Sequence, residues 1–211
     1  MTKTLGLAYA TFTIIYLSTL STELSLSWLL KTMPLVILVF GVVQNTTASN
    51  RKHLLIALMF SGCGDILLDF NYFIFGVGTF LLAQLCYAKI FIGSWQGFTN
   101  RWPGSVGLVA LMLVMLFLLL PNLGDLQLPV IAYLLAIGLM GLAAVQSSQS
   151  FYWSVLGAII FIVSDSLIAI DKFFYPITMR SYWVMITYYL AQWMLVTGLL
   201  VASRPDDTSQ Y

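Results

Sequence analysis

Charged residues are scarce in this chain. Only 8% of its 211 residues are charged, nine basic and eight acidic, whereas a soluble domain carries about 25%. So few charges cannot cover a chain of this size with a water-facing surface, which excludes an ordinary soluble globular protein. A net charge of +1 also lacks the basic footprint of nucleic-acid binding, so we predict no nucleic-acid partner.

Cysteine and histidine are nearly absent. The chain has two cysteines and one histidine, too few for a disulfide framework or a multi-histidine zinc site. Cys63 and Cys86 fall in apolar stretches, which is typical of small core side chains. His53 adjoins Arg51 and Lys52, a pattern that indicates an interfacial basic cluster. We therefore predict no metal and no cofactor.

Hydrophobic residues, by contrast, make up 60% of the chain. A membrane helix needs about 20 apolar residues, and the apolar runs predict an all-α, polytopic membrane bundle of about eight transmembrane helices. Lys31 and Pro34 open the second span, where proline suits the first helical turn. The first span is interpreted as retained, because no small-residue cleavage site follows it. The predicted spans are 5–20, 33–44, 54–70, 73–92, 106–120, 128–145, 151–170 and 182–202.

These spans form one predicted integral membrane domain, residues 1–203, followed by a polar tail, residues 204–211. The basic residues favour a multi-pass protein in the lipid bilayer with both termini inside, and a bacterial inner membrane is the expected location. The outer side then collects three basic residues, Lys31, Lys172 and Arg180. The inner side collects five, namely Lys3, Arg51, Lys52, Arg101 and Arg204.

Two segments resemble each other one hundred residues apart. Asp65 lies in Gly-Asp-Ile-Leu-Leu and Asp165 in Ser-Asp-Ser-Leu-Ile, and Leu-Ala-Gln recurs in the following span of each half, ending at Gln84 and Gln192. The echo predicts a parallel repeat of two four-helix halves, about 1–103 and 104–203. The alternative is chance similarity between leucine-rich spans.

The two aspartates are the strongest candidates for function. A carboxylate at the centre of a membrane helix costs about 2.5–3.5 kcal/mol on insertion scales, so it marks a functional site by default. Counted from the predicted span starts, Asp65 lies about 17 Å and Asp165 about 21 Å along its helix. The alternative is a structural pair satisfied by hydroxyls and backbone. Asp69, one turn after Asp65, is either part of the site or an interfacial cap.

Other polar side chains surround these aspartates in the sequence. Gln84 and Gln192 either orient an aspartate or a water or act as interhelical hydrogen-bonding groups. Lys31 is either a snorkelling anchor or a phosphate-binding group, and Asp171 with Lys172 indicates a solvated interfacial pair. The predicted substrate-binding residues are Lys31, Asp69, Gln84, Tyr87, Ser164, Tyr188 and Gln192.

Five ordered motifs resemble a known family. Together they run from about residue 31 to residue 198 and are similar to the YhhN or transmembrane-protein-86 family, the lysoplasmalogenases. Gln84 stands where that family often has histidine, so a proton-transfer role at this position is not expected. The motifs are Lys31-x-x-Pro34-Leu35, Gly64-Asp65-x-Leu67-Leu68, Gly78-x-Phe80-Leu81-x-x-Gln84-x-x-Tyr87, Gly157-x-x-x-Phe161-x-x-Ser164-Asp165-Ser166-Leu167 and Tyr188-Tyr189-x-Ala191-Gln192.

The resemblance implies a membrane hydrolase that cleaves the vinyl ether bond of a lysoplasmalogen to a fatty aldehyde and a glycerophospho-alcohol. Its catalytic aspartates fall on Asp65 and Asp165. The reaction needs an acid to protonate the vinyl ether, a stabiliser for the oxocarbenium ion and a base for water, and two carboxyls can divide these tasks. The main alternative is a small proton- or cation-coupled transporter, which also suits intramembrane carboxylates in a repeat.

Overall fold

The computed structural model describes residues 2–22, 26–45, 50–98 and 100–201. The predicted polar tail, residues 204–211, and Arg204 with it lie outside these residues. The described part of the chain is helical and contains no strand, because a helix satisfies every backbone donor and acceptor within the segment itself. The prediction of an all-α polytopic bundle is confirmed.

Among the described residues, eight α-helices make up the bundle. Short 3₁₀ turns at Leu120–Asn122 and Gly124–Leu126 precede the sixth helix, and a π-helical turn at Phe151–Val155 leads into the seventh. The helices are α1 (Lys3–Thr19), α2 (Ser27–Gln44), α3 (Arg51–Asp69), α4 (Phe73–Ile92), α5 (Trp102–Leu119), α6 (Gln127–Val145), α7 (Leu156–Phe173) and α8 (Arg180–Val201).

Within the part of the chain that the structure describes, six helical segments are long and apolar enough to cross a membrane, and they include every helix except α1 and α3. The first helix has only 17 residues, and α3 carries Asp65 and Asp69 near its end and two basic residues at its start. The protein is therefore an integral, multi-pass membrane protein. Its least apolar long helix, α3, is the one that carries the first candidate aspartate.

The second helix differs from the prediction. It begins at Ser27 instead of residue 33, so Lys31 and Pro34 lie inside it and do not open it. The predicted boundary is wrong because a charged residue was expected to lie outside the helix. Lys31 is instead buried and paired with Asp65 inside the bundle, so the helix continues through it. Proline in a helix interior leaves a carbonyl one turn earlier without its usual donor. The neighbouring carbonyl of Lys31 accepts a hydrogen bond from the Tyr189 hydroxyl at 2.7 Å.

Close packing of α3 on α4 and of α7 on α8 forms the body of the bundle. At Gly64 a Cβ atom would lie 2.6 Å from the ring of Phe80, so only glycine lets α4 approach beside Asp65. The first helix adds the buried Tyr9 and Tyr16 to the same core. The expectation that both cysteines lie in the core is wrong for Cys63, which is exposed.

The two ends of the bundle have different characters. At one end the loops after α4 and α6 pair, with the Ser148 amide donating to the Ser94 carbonyl at 2.9 Å, and this end also holds the first turn of α1. At the other end, where α3 and α7 finish, the helix ends surround a polar cavity. We call this the cavity end.

Candidate active site

A cavity of about 580 Å³ opens at the cavity end, between the ends of α1, α3 and α7 and the beginnings of α2, α4 and α8. Its lining is unusually polar for a chain with so few charges. Seven charged side chains contribute to it, Lys31, Asp65, Asp69, Asp165, Asp171, Lys172 and Arg180. The structure therefore concentrates in one place charges that the sequence distributes over four helices.

Asp65 lies on α3 with only 3% of its surface exposed. Its Oδ2 accepts a hydrogen bond from the Tyr188 hydroxyl of α8 at 2.8 Å. On the other side, the ammonium of Lys31 lies 3.8 Å from Asp65 Oδ1 and donates to the Asp65 backbone carbonyl at 3.1 Å. A buried carboxylate is tolerated when a cation and hydrogen-bond donors compensate it, and Asp65 has both.

Asp69 shares the same cation. Its Oδ1 lies 3.6 Å from the Lys31 ammonium, and its Oδ2 accepts from the Ser27 hydroxyl at 3.2 Å. The helical spacing that puts Asp69 on the face of Asp65 therefore also puts it against α2. Asp69 is nearer the cavity mouth and more exposed, with 28% of its side chain accessible compared with 5% for Asp65.

Asp165 lies on α7 in a different environment. Its Oδ2 accepts a hydrogen bond from the Tyr133 hydroxyl of α6, and that hydroxyl accepts in turn from Gln84 Nε2 of α4 at 3.3 Å. The three ion pairs found among the described residues leave Asp165 out. Asp165 thus has a neutral donor where Asp65 has a donor and a cation.

Tyr133 is the residue that sequence reasoning missed. A tyrosine in an apolar helix carries no signal of its own, because its ring packs like any core aromatic. The predicted repeat contained a hint, since Tyr133 lies about one hundred residues after Lys31. The helix before α3 and the helix before α7 each supply a partner for the aspartate that follows.

The remaining predicted residues separate into two groups. Tyr188 and Ser164 line the cavity, although the Ser164 hydroxyl donates to the Val184 carbonyl at 3.1 Å and so ties α7 to α8. Gln84, Tyr87 and Gln192 are fully buried behind the cavity, where the Tyr87 hydroxyl donates to Gln192 Oε1 at 2.7 Å. The structure brings Lys31, Asp65, Asp69, Ser164, Asp165 and Tyr188 together at the cavity and leaves Gln84, Tyr87 and Gln192 outside its lining.

At the mouth, the expected pairing of Asp171 with Lys172 is absent from the described ion pairs. Asp171 Oδ2 instead lies 3.4 Å from the Arg180 guanidinium, and its Oδ1 accepts from the Ile177 amide at 2.9 Å. The Lys172 ammonium lies over the ring of Phe73, 4.3 Å from its centroid. Adjacent residues on a helix point in different directions, which is why sequence neighbours do not pair here.

Comparison with known proteins adds the family to this geometry. The model of the YhhN family matches residues 26–199. This chain belongs to the YhhN family. The matched region contains every predicted site residue, from Lys31 to Gln192, and the resemblance inferred from the motifs is confirmed.

Curated relatives are similar over most of the chain. The lysoplasmalogenase of Mycobacterium bovis is 30% identical, over 97% of this chain and 84% of its own length. Lysoplasmalogenase TMEM86A of Bos taurus is 31% identical over 86% of this chain and 82% of its own length. The human TMEM86A lysoplasmalogenase is 33% identical over 84% and 79%, respectively. No solved structure matches the chain significantly.

Proposed function

We propose that this YhhN-family protein is a lysoplasmalogenase, which hydrolyses the vinyl ether bond of a 1-alkenyl lysophospholipid to a fatty aldehyde and a glycerophospho-alcohol. The observation that carries the proposal is the pair of aspartates, Asp65 and Asp165, on the wall of one cavity with different partners. The relatives named lysoplasmalogenase favour this enzyme over the transporter. The chemistry needs one carboxylic acid and one carboxylate, and the partners of the two residues supply that difference.

Asp165 is assigned as the acid. A half-buried carboxyl without a cation avoids most of the desolvation cost by keeping its proton. The hydroxyl of Tyr133 bonds one carboxyl oxygen, which leaves the other oxygen to carry the proton towards the substrate. Asp165 donates this proton to the β-carbon of the vinyl ether, and an oxocarbenium ion forms at the carbon bonded to oxygen.

Asp65 is assigned as the base. The ammonium of Lys31 compensates its charge, so the residue stays a carboxylate and faces the developing cation. Asp65 takes a proton from water as the water oxygen bonds to the oxocarbenium carbon, which gives a hemiacetal. Asp65 then returns that proton to the glycerol oxygen as the C–O bond breaks, while Asp165 takes the hemiacetal hydroxyl proton. Both residues end in their starting states, and one water has been consumed.

The polar mouth of the cavity is the proposed position of the headgroup. Lys31 already faces two carboxylates, which would repel a phosphate placed beside it. Lys172 and Arg180 lie nearer the mouth, and Lys172 is about 10 Å along α7 from Asp165, a reach comparable to an extended glycerophosphate. We therefore place the phosphate at Lys172 and Arg180 and keep Lys31 as the partner of Asp65.

The experiment that tests the function is aldehyde release from a long-chain lysoplasmalogen by the purified protein in detergent. Turnover without any gradient is the expected result, and it distinguishes the enzyme from a carrier. Movement of intact lysoplasmalogen across sealed vesicles, with no aldehyde formed, would show that the carrier is correct. Loss of turnover with a chelator would instead indicate a metal-dependent hydrolase.

The headgroup position has its own test. Lys172→Gln and Arg180→Gln should each raise KM about fivefold with little change in kcat. Lys89→Gln is the matched control, because Lys89 lies in the last turn of α4 at the opposite end of the bundle. If Lys31→Gln raises KM and neither Lys172→Gln nor Arg180→Gln does, the phosphate binds at Lys31 and the proposed headgroup position is wrong.

The cavity opens at the end opposite the first turn of α1, so the orientation decides which side of the membrane the site faces. With Lys31 buried in the cavity, the outer interface keeps only Lys172 and Arg180, which strengthens the bias towards an inside N-terminus. We propose that the cavity faces the outer side. A membrane-impermeant thiol reagent should label Ser181→Cys in intact cells if the proposal is correct, and no labelling until lysis would reverse the orientation.

A further inference from the structure

Asp165 lines cavities of opposite character, the polar cavity and small apolar pockets beside it. Besides the polar cavity, it lines a smaller side pocket of about 50 Å³. Apart from Asp165 and Tyr133, the side pocket is lined by apolar residues, among them Phe73, Val77 and Ala169. A lysoplasmalogen has the same division, with a polar headgroup on one side of the vinyl ether and a hydrocarbon chain on the other.

The side pocket lies between α4 and α7, which pack on each other less closely than each packs on its main neighbours. The fourth helix packs along α3 and α6, and the seventh packs along α8. Between α4 and α7 the contacts are aromatic, with Phe73 and Phe173 ring centroids 5.9 Å apart at the cavity end and Tyr87 and Phe161 centroids 6.4 Å apart deeper in the bundle. The side pocket occupies the space between these two ring pairs.

The outer wall of the side pocket is accessible from the surface of the bundle. Val77, Ala169 and Phe173 are each partly exposed, although they face a pocket that reaches Asp165. In a membrane this surface meets lipid chains. A hydrocarbon chain can therefore run from Asp165 through the pocket to the bilayer without crossing the polar cavity.

One pair of corresponding positions on α3 and α7 contributes to the difference between the two cavities. Asp69 lies one turn after Asp65 on α3 and makes its side of the site polar. On α7 the residue one turn after Asp165 is Ala169, whose methyl group lines the side pocket. The same helical spacing thus yields a carboxylate on the headgroup side and an apolar wall beside the proposed acid.

We propose that the side pocket between α4 and α7 is the binding site for the alkenyl chain, with its first few carbons beside Val77 and Ala169 and the rest in lipid. This inference rests on the proposed function. It fixes the direction of the substrate, because the β-carbon is the first chain atom beyond the reacting carbon and so lies on the Asp165 side. Asp65 and Lys31 then face the reacting carbon from the polar cavity.

The kinetic test uses a larger side chain on the lipid-facing wall to narrow the side pocket. Val77→Phe should lower kcat/KM for a long-chain lysoplasmalogen roughly tenfold or more, and the loss should be clearly smaller for the propenyl analogue with the same headgroup, whose chain ends one carbon beyond the β-carbon. Val109→Phe is the matched control, because Val109 is an exposed residue of α5 and is not among the described residues that line the side pocket. Equal activity of Val77→Phe and wild type on both substrates would overturn the proposal, as would equal losses on both.

A binding test makes the proposal independent of turnover. A non-hydrolysable alkyl ether lysophospholipid with a diazirine close to the ether oxygen should label Val77, Ala169 or Phe173, which line the side pocket and not the polar cavity, in the wild-type protein in nanodiscs. Labels confined to Tyr16 and Leu20, on the α1 side of the polar cavity, would overturn the chain position. Labels in the side pocket from a protein that releases no aldehyde would support the chain position and refute the hydrolase.

Discussion

Asp65 and Asp165 lie at corresponding places in two helices, yet their surroundings differ. Each lies about four turns after the start of its helical segment, at Arg51 and Phe151 respectively. The helix preceding α3 supplies Lys31 to Asp65, whereas the helix preceding α7 supplies Tyr133 to Asp165. A similar framework thus holds one carboxyl beside a cation and the other beside a neutral hydroxyl, which is the asymmetry that acid–base chemistry requires.

The contrast extends to the next turn of each helix. Asp69 follows Asp65 and shares its lysine, whereas Ala169 follows Asp165 and lines the apolar side pocket. Phe73 and Phe173, one hundred residues apart, meet at the cavity end. These placements support the repeat of two four-helix halves, 1–103 and 104–203, which stays a prediction. They also suggest why such halves would diverge, since a substrate with one polar and one apolar side needs a site that is not symmetric.

Removing either carboxyl should have the largest effect. Asp65→Asn and Asp165→Asn should each lower kcat by about 10²–10⁴-fold, the range of general acid–base catalysis. The two variants should differ when the reaction runs in D₂O. With Asp65→Asn, protonation at the β-carbon is still possible and reverses, so recovered substrate carries deuterium there, whereas Asp165→Asn returns unlabelled substrate. Labelled substrate from Asp165→Asn alone would exchange the two roles.

Removing the cation should affect both stability and activity. Lys31→Met leaves Asp65 and Asp69 without their shared cation, and breaking a buried pair by removing one partner costs about 3–5 kcal/mol. We expect a lower unfolding temperature and a large loss of turnover. The double variant Lys31→Met, Asp65→Asn should recover much of the stability and none of the activity. If thermal unfolding of Lys31→Met matches the wild type, the lysine does not compensate Asp65.

The two tyrosines should differ in importance. A hydrogen bond between neutral groups contributes about 0.5–1.5 kcal/mol, so Tyr133→Phe should lower kcat by up to about tenfold, because this bond is the one that positions Asp165 on α7. Tyr188→Phe should have a smaller effect on kcat, since Lys31 still holds Asp65. If Tyr188→Phe lowers the single-turnover rate more than Tyr133→Phe does, Asp65 depends more on the Tyr188 hydroxyl than on the Lys31 ammonium.

The smallest effect is expected behind the site. Gln84 donates to Tyr133 and does not line the cavity, so Gln84→Leu should change kcat about threefold or less. Tyr133→Phe with Gln84→Leu should be no worse than Tyr133→Phe alone, because the glutamine acts through the tyrosine. A larger loss in the double variant would show that Gln84 contacts the substrate or a reacting water directly.

Much of the fold could be predicted from the pattern of apolar residues. The eight helices follow from apolar runs interrupted by polar positions, and the two aspartates stand out because charge is costly within such runs. The start of α2 could not be predicted in this way, since Lys31 resembles an interface residue until its partners are known. The partner of Asp171 could not be predicted either. Lys172 is next to Asp171 in the chain, whereas the actual partner, Arg180, lies on the other side of the turn between α7 and α8.

By itself the sequence determined that the protein lies in a membrane, since 60% of its residues are hydrophobic and only 8% are charged. It also determined that the fold is helical, because backbone groups in lipid must be hydrogen-bonded within the protein. It also singled out Asp65 and Asp165 as carboxyls that lie within helices. Only the tertiary structure decided what each carboxyl meets. Asp65 is compensated by residues 34 and 123 positions away. The packing of α2, α6 and α8 against α3 and α7 places one aspartate beside a cation and leaves its counterpart without one.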